Sequence, residues 1–366
     1  MKLIIAGGGT GGHINPAIAV ANEFVKRDDN NSVLFIGTKK GLEAQLIPKA
    51  GFLIKYIEVE GFLQKKSFYN FVVISKLVKS IIKCMNIIRK EKPDIVVGTG
   101  GYVSAPVVLA AHILKIPTLI LEQNIVAGKT TRLLSKYVDR ICTAFCGTNI
   151  PYPEKITVTG NPIRKGFTGK DKYESKEKLG LTEDIPFVLC VSGSLGAEKI
   201  SECMTKFIIN NHKNMEYYLL IVTGDLYYED VLLELKRTNT DIKNSRIFIK
   251  NYIDNMEDYM SAADVVISRS GALFLSEIAY LGKPSLLIPS PNVSENHQEK
   301  NADNYVKHNA AIKISEKDLT EHSLKEALDK LLKNKEKLIE MEKAAKSMST
   351  PDSSKKIVDI MYELIC

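Results

Sequence analysis

Four glycine-rich strings stand where a backbone must bend tightly or let a ligand come close. They are Gly7-Gly8-Gly9-Thr10-Gly11-Gly12-His13, Gly98-Thr99-Gly100-Gly101-Tyr102-Val103-Ser104, Ser192-Gly193-Ser194-Leu195-Gly196-Ala197 and Ser268-Arg269-Ser270-Gly271-Ala272. Glycine tolerates positive φ and carries no Cβ, so it permits both. Each string follows a short apolar run and precedes a helix-like stretch. The start of such a helix offers N–H groups and about half a positive charge, which suits a phosphate. One such turn alone is equally well explained by tight strand-to-helix packing. Two in each half, all at the carboxyl ends of strands, point to the edge where open α/β sheets bind ligands. His13 closes the first string and is the side-chain type best poised to move a proton near neutral pH. Its other reading is a histidine bonded to its own turn. Glu277 lies six residues past Gly271, beside Ile278 and Ala279. Its two oxygens can accept two sugar hydroxyls; otherwise it is a surface helix glutamate.

Gly7, Gly9 and Gly12 also satisfy G-x-G-x-x-G. A dinucleotide site would place an acid at the end of the second strand to hold the ribose. Here Val33 to Ile36 ends in Gly37-Thr38, and Asp28 and Asp29 precede the strand, which removes most support for a nicotinamide cofactor. No D-x-D follows a strand, so nothing suggests a metal on a diphosphate.

The elements that must hold these turns are short apolar strands separated by helix-length segments, the pattern of a parallel sheet wrapped by helices. Strands are expected at Lys2 to Ala6, Val33 to Ile36, Ile95 to Val97, Thr118 to Leu121, Arg140 to Thr143 and Ile156 to Thr159. Residues 163–186 turn charged and glycine-rich and read as a linker. The pattern restarts at Phe187 to Val191, Leu219 to Thr223, Ile247 to Ile249, Val265 to Ser268, Ser285 to Ile288 and Ala311 to Ile314. Two βα domains with a cleft between them are the simplest architecture. A polar helix is expected over about 316–347, and a final helix through Leu364. Thr350 would cap that last helix, with Pro351 at its first position.

The length of 366 residues suits two domains. The 45% hydrophobic and 25% charged content is that of a soluble globular protein, and no apolar run approaches the ~18 to 20 residues that span a bilayer. Disorder, collagen and an integral membrane protein are excluded. Met1 to Ala6 is too short for a signal-peptide core and reads as a first strand. Of the six cysteines, none forms a C-x-x-C pair; Cys142, Cys190 and Cys146 sit in or beside apolar runs. Buried reduced thiols and a cytoplasmic setting are expected. His112, His212, His308 and His322 have no chemical company and read as structural or surface groups.

The net charge of +7 is uneven. Residues 1–162 carry 21 Lys/Arg against 11 Asp/Glu, and residues 65–92 carry eight against Glu91 alone. Such a patch implies an anionic partner: nucleic acid, anionic lipid or a phosphorylated substrate. Phe71, Ile74, Val78, Ile81, Met85 and Ile88 fall at helical spacing and make one apolar face, which either packs on the sheet or meets a bilayer. Phe62, Leu63, Phe68, Val72, Val73 and Ile82 lie outside that stripe, among Lys65, Lys66, Lys76, Lys79 and Lys83. Sequence-neutral nucleic-acid binding would want aromatics interleaved through the patch. Phe68, Tyr69 and Phe71 only flank it, so anionic lipid is expected and nucleic acid is not.

Several strings together resemble one family. They are Gly8 to His13, Gly100-Gly101-Tyr102-Val103-Ser104-Ala105-Pro106, Glu122-Gln123-Asn124 with Ala127-Gly128, and Thr159-Gly160-Asn161-Pro162-Ile163-Arg164. In the second half Ser192 to Ala197, Arg269 to Ala272 with Ser276-Glu277, and His297-Gln298-Glu299-Lys300-Asn301-Ala302 continue the order. The sequence resembles the MurG family, the peptidoglycan-synthesis N-acetylglucosaminyltransferases of the GT-B superfamily, over residues 7 to about 302. It departs from the usual pattern at Leu121, Leu195 and Phe274.

The resemblance implies an α/β GT-B fold, with two Rossmann-like parallel-sheet domains facing each other across a cleft. It places an acceptor- and membrane-associated domain at 1–162, joined by the helix 350–366, and a donor domain at 163–349. It implies an inverting hexosyltransferase that moves GlcNAc from UDP-GlcNAc to the 4-hydroxyl of MurNAc in lipid I, giving lipid II for the wall and hence for cell shape and division. No cofactor or metal is implied. His13 is the implied catalytic base. Thr10, Gly11, Gly12, Asn124, Arg164, Ser194, Ile253, Ala272, Leu273, Glu277 and Gln298 are the implied donor contacts. Gly12, His13, Gly100, Gly101 and Tyr102 are the implied acceptor contacts. Lys65, Lys66, Phe68, Phe71, Lys76 and Lys79 would meet the cytoplasmic face of the membrane as a peripheral surface. A UDP-GlcNAc 2-epimerase, a GT-B transferase acting on diacylglycerol, and a nucleic-acid binder remain as competing readings.

Overall fold

The computed structural model describes residues 1–59, 69–193, 196–243 and 245–365. Lys65, Lys66, Phe68 and Ser194, each assigned a role above, lie outside the described residues, as do the side chains of Phe71 and Ile74. The chain forms two compact units, Met1–Arg164 with Thr350–Cys366, and Lys165–Ser349. The division falls two residues beyond the expected one.

The first unit runs β1 (Lys2–Gly7), α1 (Gly11–Arg27), β2 (Ser32–Gly37), α2 (Glu43–Lys49), β3 (Leu53–Tyr56), α3 (Tyr69–Glu91), β4 (Ile95–Gly100), α4 (Ser104–Ile113), β5 (Thr118–Glu122), α5 (Lys129–Leu134), β6 (Arg140–Thr143) and β7 (Ile156–Val158). The sheet is parallel, in the order β3-β2-β1-β4-β5-β6-β7. The winding reverses between β1 and β4, so the first and second glycine turns lie side by side at the switch point, where such sheets bind ligands. Strands buried on both faces must be apolar throughout. Leu3 and Ile5 pack against Phe24 of α1 and Ile357 and Met361 of the C-terminal helix. Ile4 and Ala6 pack against Cys84 and Ile88 of α3 and Val107 of α4.

The second unit runs α6 (Lys172–Lys178), β8 (Phe187–Val191), α7 (Glu198–Asn211), β9 (Tyr218–Val222), α8 (Tyr228–Arg237), β10 (Ile247–Lys250), α9 (Met256–Ala262), β11 (Val265–Ser268), α10 (Ala272–Leu281), β12 (Ser285–Leu287), α11 (His297–Lys307), β13 (Ala311–Lys313), α12 (Glu321–Leu332) and α13 (Lys335–Ser347). Its parallel sheet has the order β10-β9-β8-β11-β12-β13. The reversal falls between β8 and β11, under the third and fourth glycine turns. Val188, Cys190, Leu219, Ile221 and Ile267 meet Ile200, Met204 and Phe207 of α7 and Leu324 and Leu328 of α12.

Several expectations are corrected. Residues 163–186 are not an open linker. The Asp171 side chain caps α6 by accepting from the N–H groups of Tyr173 and Glu174. Lys176 is buried, with Nζ 3.0 Å from each of the Glu183 and Ile185 carbonyl oxygens and from Asp264. Asp258 binds Lys170 and Lys178; burial opposes its charge, but those two bonds outweigh burial and hold the carboxyl down to about 2. The helix expected over 316–347 is two helices, because the Asn334 side chain caps a new start by accepting from Lys337 N at 2.9 Å. The last helix begins at Ser353, since Asp352 takes φ +58° and Pro351 stands outside it. Helix α1 begins inside the first glycine string, at Gly11, rather than after it, with Pro16 inside the helix. The edge strand β3 was not expected, and Cys146 is exposed. On α3, Ile81, Met85 and Ile88 pack on the sheet, whereas Val78 and Ile82 are 50% and 54% exposed. No helix among the described residues is long and apolar enough to cross a membrane.

Candidate active site

In the first unit the two glycine turns interlock. A Cβ on Gly7 would overlap the Thr99 hydroxyl, which donates to the His13 carbonyl at 2.9 Å. Gly100 takes φ +113°, and a Cβ there would lie 2.5 Å from His13 Cδ2. Gly101 takes φ +78°, with its missing Cβ 2.5 Å from the Gly8 carbonyl oxygen. Only glycine fits at either position. His13 is half-buried, and its Nδ1 lies 3.1 Å from the Gly8 carbonyl oxygen. A carbonyl only accepts, so in the neutral ring the proton lies on Nδ1 and Nε2 holds the lone pair. Tyr102 is 58% exposed beside this pair.

Helix α1 starts behind the first turn with no side-chain cap on Thr10 and no acid in its first turn. That end is open to an anion. A chain of amides joins the remaining motifs. Gln123 Nε2 donates to the Thr99 carbonyl at 2.8 Å, and Asn161 Nδ2 donates to the Gln123 carbonyl at 3.1 Å. Glu122 is buried and accepts from the N–H groups of Asn124 at 3.0 Å and Gly128 at 2.9 Å, which sets the loop carrying Asn124. Arg164 is exposed at the end of this unit.

In the second unit the third turn is braced from below. Gly196 takes φ +89°, and a Cβ there would overlap the Thr223 carbonyl and lie 2.6 Å from the Tyr227 ring. Helix α10 follows the fourth turn with Gly271 at its N-cap, no side-chain cap and no acid in its first turn. Ala272 and Ile253 are buried, Leu273 is half-buried, and Glu277 is 4% exposed within α10. The Ser270 hydroxyl donates to the Gln298 carbonyl at 2.7 Å, and Gln298 Oε1 accepts from Ser290 N at 2.9 Å. Ser270, Gln298 and α10 thus share one edge.

Two charged members of the motifs do other work. Arg269 donates to the Ile288 and Pro289 carbonyls, both at 3.1 Å, and pairs with Glu316, so it ties the ends of β11 and β12 together. Glu299, in the last of the strings that carry the resemblance, forms an ion pair with Lys313 at 2.5 Å. The sequence reading passed over Glu43, Thr99 and Tyr227, which shape the turns from beneath. Their signal was present only as glycines whose missing Cβ atoms make room for them. Among the described residues, no group of three His, Cys, Asp or Glu side chains is placed to hold a metal.

Residues 3–143 match the glycosyltransferase family 28 N-terminal domain, and residues 187–357 match the family 28 C-terminal domain. The chain is 44% identical over its whole length to the UDP-N-acetylglucosamine–N-acetylmuramyl-(pentapeptide) pyrophosphoryl-undecaprenol N-acetylglucosamine transferase of a Thermoanaerobacter species, covering 99% of that protein. A crystal structure of MurG from Acinetobacter baumannii is similar at a TM-score of 0.80 and 28% identity, with 99% of both chains covered. The UDP-GlcNAc 2-epimerase of Neisseria meningitidis shares the fold alone, at a TM-score of 0.68 and 16% identity over 99% of this chain and all of that one.

Proposed function

The chain belongs to glycosyltransferase family 28, among the N-acetylglucosaminyltransferases that act on pyrophosphoryl-undecaprenol N-acetylmuramyl-pentapeptide, and from that premise we propose which of its residues carry out the transfer. The reaction moves GlcNAc from UDP-GlcNAc to the lipid-linked muramyl sugar and builds the peptidoglycan precursor.

His13 is the general base. As the muramyl 4-hydroxyl attacks the anomeric carbon, its proton passes to Nε2, the bond to UDP breaks, and the configuration inverts. The observation that carries this assignment is the Nδ1–H to Gly8 carbonyl bond under the Gly100 wall, which leaves Nε2 as the accepting nitrogen. Gly12, Gly100, Gly101 and Tyr102 complete the acceptor contacts around it. On the donor side, UDP leaves with the electron pair, and its growing charge is met by the N-terminal end of α10 at Ala272 and Leu273, which carries no acid in its first turn, and by Ser194, assigned to the same charge from the sequence resemblance. Glu277 accepts the ribose hydroxyls, Ile253 borders the uracil, and Gln298 binds the sugar. Thr10, Gly11, Gly12, Asn124 and Arg164 are the donor contacts from the first unit. UDP-GlcNAc is a substrate, and no cofactor or metal enters this scheme.

The acceptor stays in the bilayer, so the enzyme meets it as a peripheral protein on the cytoplasmic leaflet. Val78 and Ile82 of α3 are exposed next to Lys79 and Lys83, an apolar centre with a basic rim. Lys65, Lys66, Phe68, Phe71 and Lys76 are assigned to the same contact with anionic lipid from the charge and apolar content of the sequence. A His13→Ala variant tests the base assignment. Turnover should fall by about 10²- to 10⁴-fold, with UDP-GlcNAc affinity kept. A loss below about tenfold across the pH range would reduce His13 to a shaper of its turn.

A further inference from the structure

We propose that Glu43 is a positioning residue for His13: its buried carboxylate clamps the first glycine turn and, through the Gly8 carbonyl, fixes which imidazole nitrogen is presented to the acceptor. Glu43 opens α2 and is 1% exposed. A buried carboxylate is tolerated only where donors surround it. Here Oε2 accepts from Gly9 N at 2.9 Å, and Oε1 accepts from Thr38 N at 3.0 Å and from the Thr38 hydroxyl at 2.6 Å. Burial alone would raise its pKa, but the bonds from Thr38 and Gly9 prevail and hold it below the usual value.

Three glycines make room for this carboxylate. A Cβ on Gly8 would lie 2.5 Å from Oε1, one on Gly37 would lie 2.7 Å from Cγ, and one on Gly41 would overlap Oε2. Neither Gly37 nor Gly41 takes a positive φ, so space and not backbone conformation calls for glycine there, and at Gly37 the Ile54 side chain, with Cδ1 2.8 Å from the missing Cβ, shares that demand with Glu43. The carboxylate therefore joins the loop after β2 to the turn after β1. Gly8 sits between two constraints. One side of it presses on Glu43, and its carbonyl oxygen accepts His13 Nδ1–H at 3.1 Å with Gly101 packed against that same oxygen. If the turn rotates, the acceptor for Nδ1–H is lost and the ring is free to place its proton on Nε2, the wrong tautomer for a base. Glu43 acts through Gly8 and Gly9 alone. The catalytic consequence rests on His13 being the base, whereas the tautomer does not.

The test uses full-length protein with ¹⁵N-labelled histidine and long-range ¹H–¹⁵N spectra at a pH where His13 is neutral. The parent should show the Nδ1–H tautomer. Glu43→Gln keeps the volume but puts an NH2 where an oxygen accepted an N–H. It should move His13 toward a mixture with Nε2–H and lower kcat by about 10- to 100-fold, as a small misplacement of a reacting group does. The KM for UDP-GlcNAc should rise by less than kcat falls, because Thr10, Gly11 and Gly12 of the same turn are a minority of the donor contacts. Thr38→Val removes one of the three bonds without adding a donor, and should move both readings in the same direction by less. A folded Glu43→Gln protein with the parental tautomer and kcat would overturn the proposal. If Glu43→Gln fails to fold, Thr38→Val with both readings unchanged would overturn it equally. A tautomer shift in Glu43→Gln alongside full turnover in His13→Ala would retire the base assignment and leave the link from Glu43 to the ring standing.

Discussion

Replacing Gly100 with alanine separates backbone strain from damage to the site. At φ +113° an alanine is strained wherever it stands, at a cost of about 1–3 kcal/mol. The new Cβ would also lie 2.5 Å from His13 Cδ2 and 2.8 Å from Nε2. Ordinary carbon contacts begin near 3.5 Å, so the ring must retreat by roughly 1 Å, a misplacement that costs on the order of 10²-fold in rate. Gly51 supplies the control. It takes φ +86°, and a Cβ there meets nothing within 4 Å. Gly51→Ala should therefore lose a comparable amount of stability and no activity. Gly100→Ala should lose similar stability, about 10² in kcat, and nothing in UDP affinity. Denaturant melts and GlcNAc transfer to a lipid-linked acceptor read the two effects separately. Gly100→Ala working within about threefold of Gly51→Ala would refute the claim that this wall positions His13.

Three further outcomes follow from named groups. Glu277→Ala should weaken UDP binding by about 10- to 100-fold, the worth of one or two charge-assisted hydrogen bonds; unchanged affinity by calorimetry would remove Glu277 from the donor site. Lys283 is buried with Nζ donating to the Ser261 and Ala263 carbonyls at 2.6 and 3.0 Å, and burial, aided by Lys172, pushes its pKa down from 10.5 to about 8. Folding therefore disfavours its charged form below pH 8, and that penalty fades as pH rises toward 10.5. Parent stability relative to Lys283→Met should climb by about 1.4 kcal/mol per pH unit in that window, and parallel pH profiles would contradict it. Exchanging Lys65, Lys66, Lys76 and Lys79 for Glu should weaken binding to anionic liposomes by about 1 kcal/mol or more per charge at low salt, while a soluble acceptor is still used. Undiminished liposome binding would place the docking surface elsewhere.

How much was legible varies by element. The four central strands stood out because both of their faces are buried, so Leu3-Ile4-Ile5-Ala6 and Val265-Val266-Ile267 are apolar without interruption. Strand β3 escaped because it lies at an edge, with Leu53 76% exposed and a lysine in its centre. Strand order cannot be read from local pattern, so the adjacency of β1 with β4 and of β8 with β11 came only with the structure. The glycine turns could be found from composition, but not what lies under them. Glu43 looks like any acid in a helix's first turn until Gly8, Gly37 and Gly41 are seen to leave it space. Arg269 is the converse: a cation beside a glycine turn invites a phosphate, yet carbonyls and Glu316 engage it. Side-chain direction on α3 was only half legible, because Val78 shares the spacing of Ile81 and Ile88 but turns outward.

The most direct measurement is transfer of radiolabelled GlcNAc from UDP-GlcNAc to an undecaprenyl-diphosphoryl-MurNAc-pentapeptide analogue, run on the parent and on His13→Ala. The parent should put label on the lipid-linked product with equimolar UDP, and the variant should do so at a rate lower by about 10² or more. Label recovered as a 2-epimer of the donor, or equal transfer by the two proteins, would contradict the proposed function.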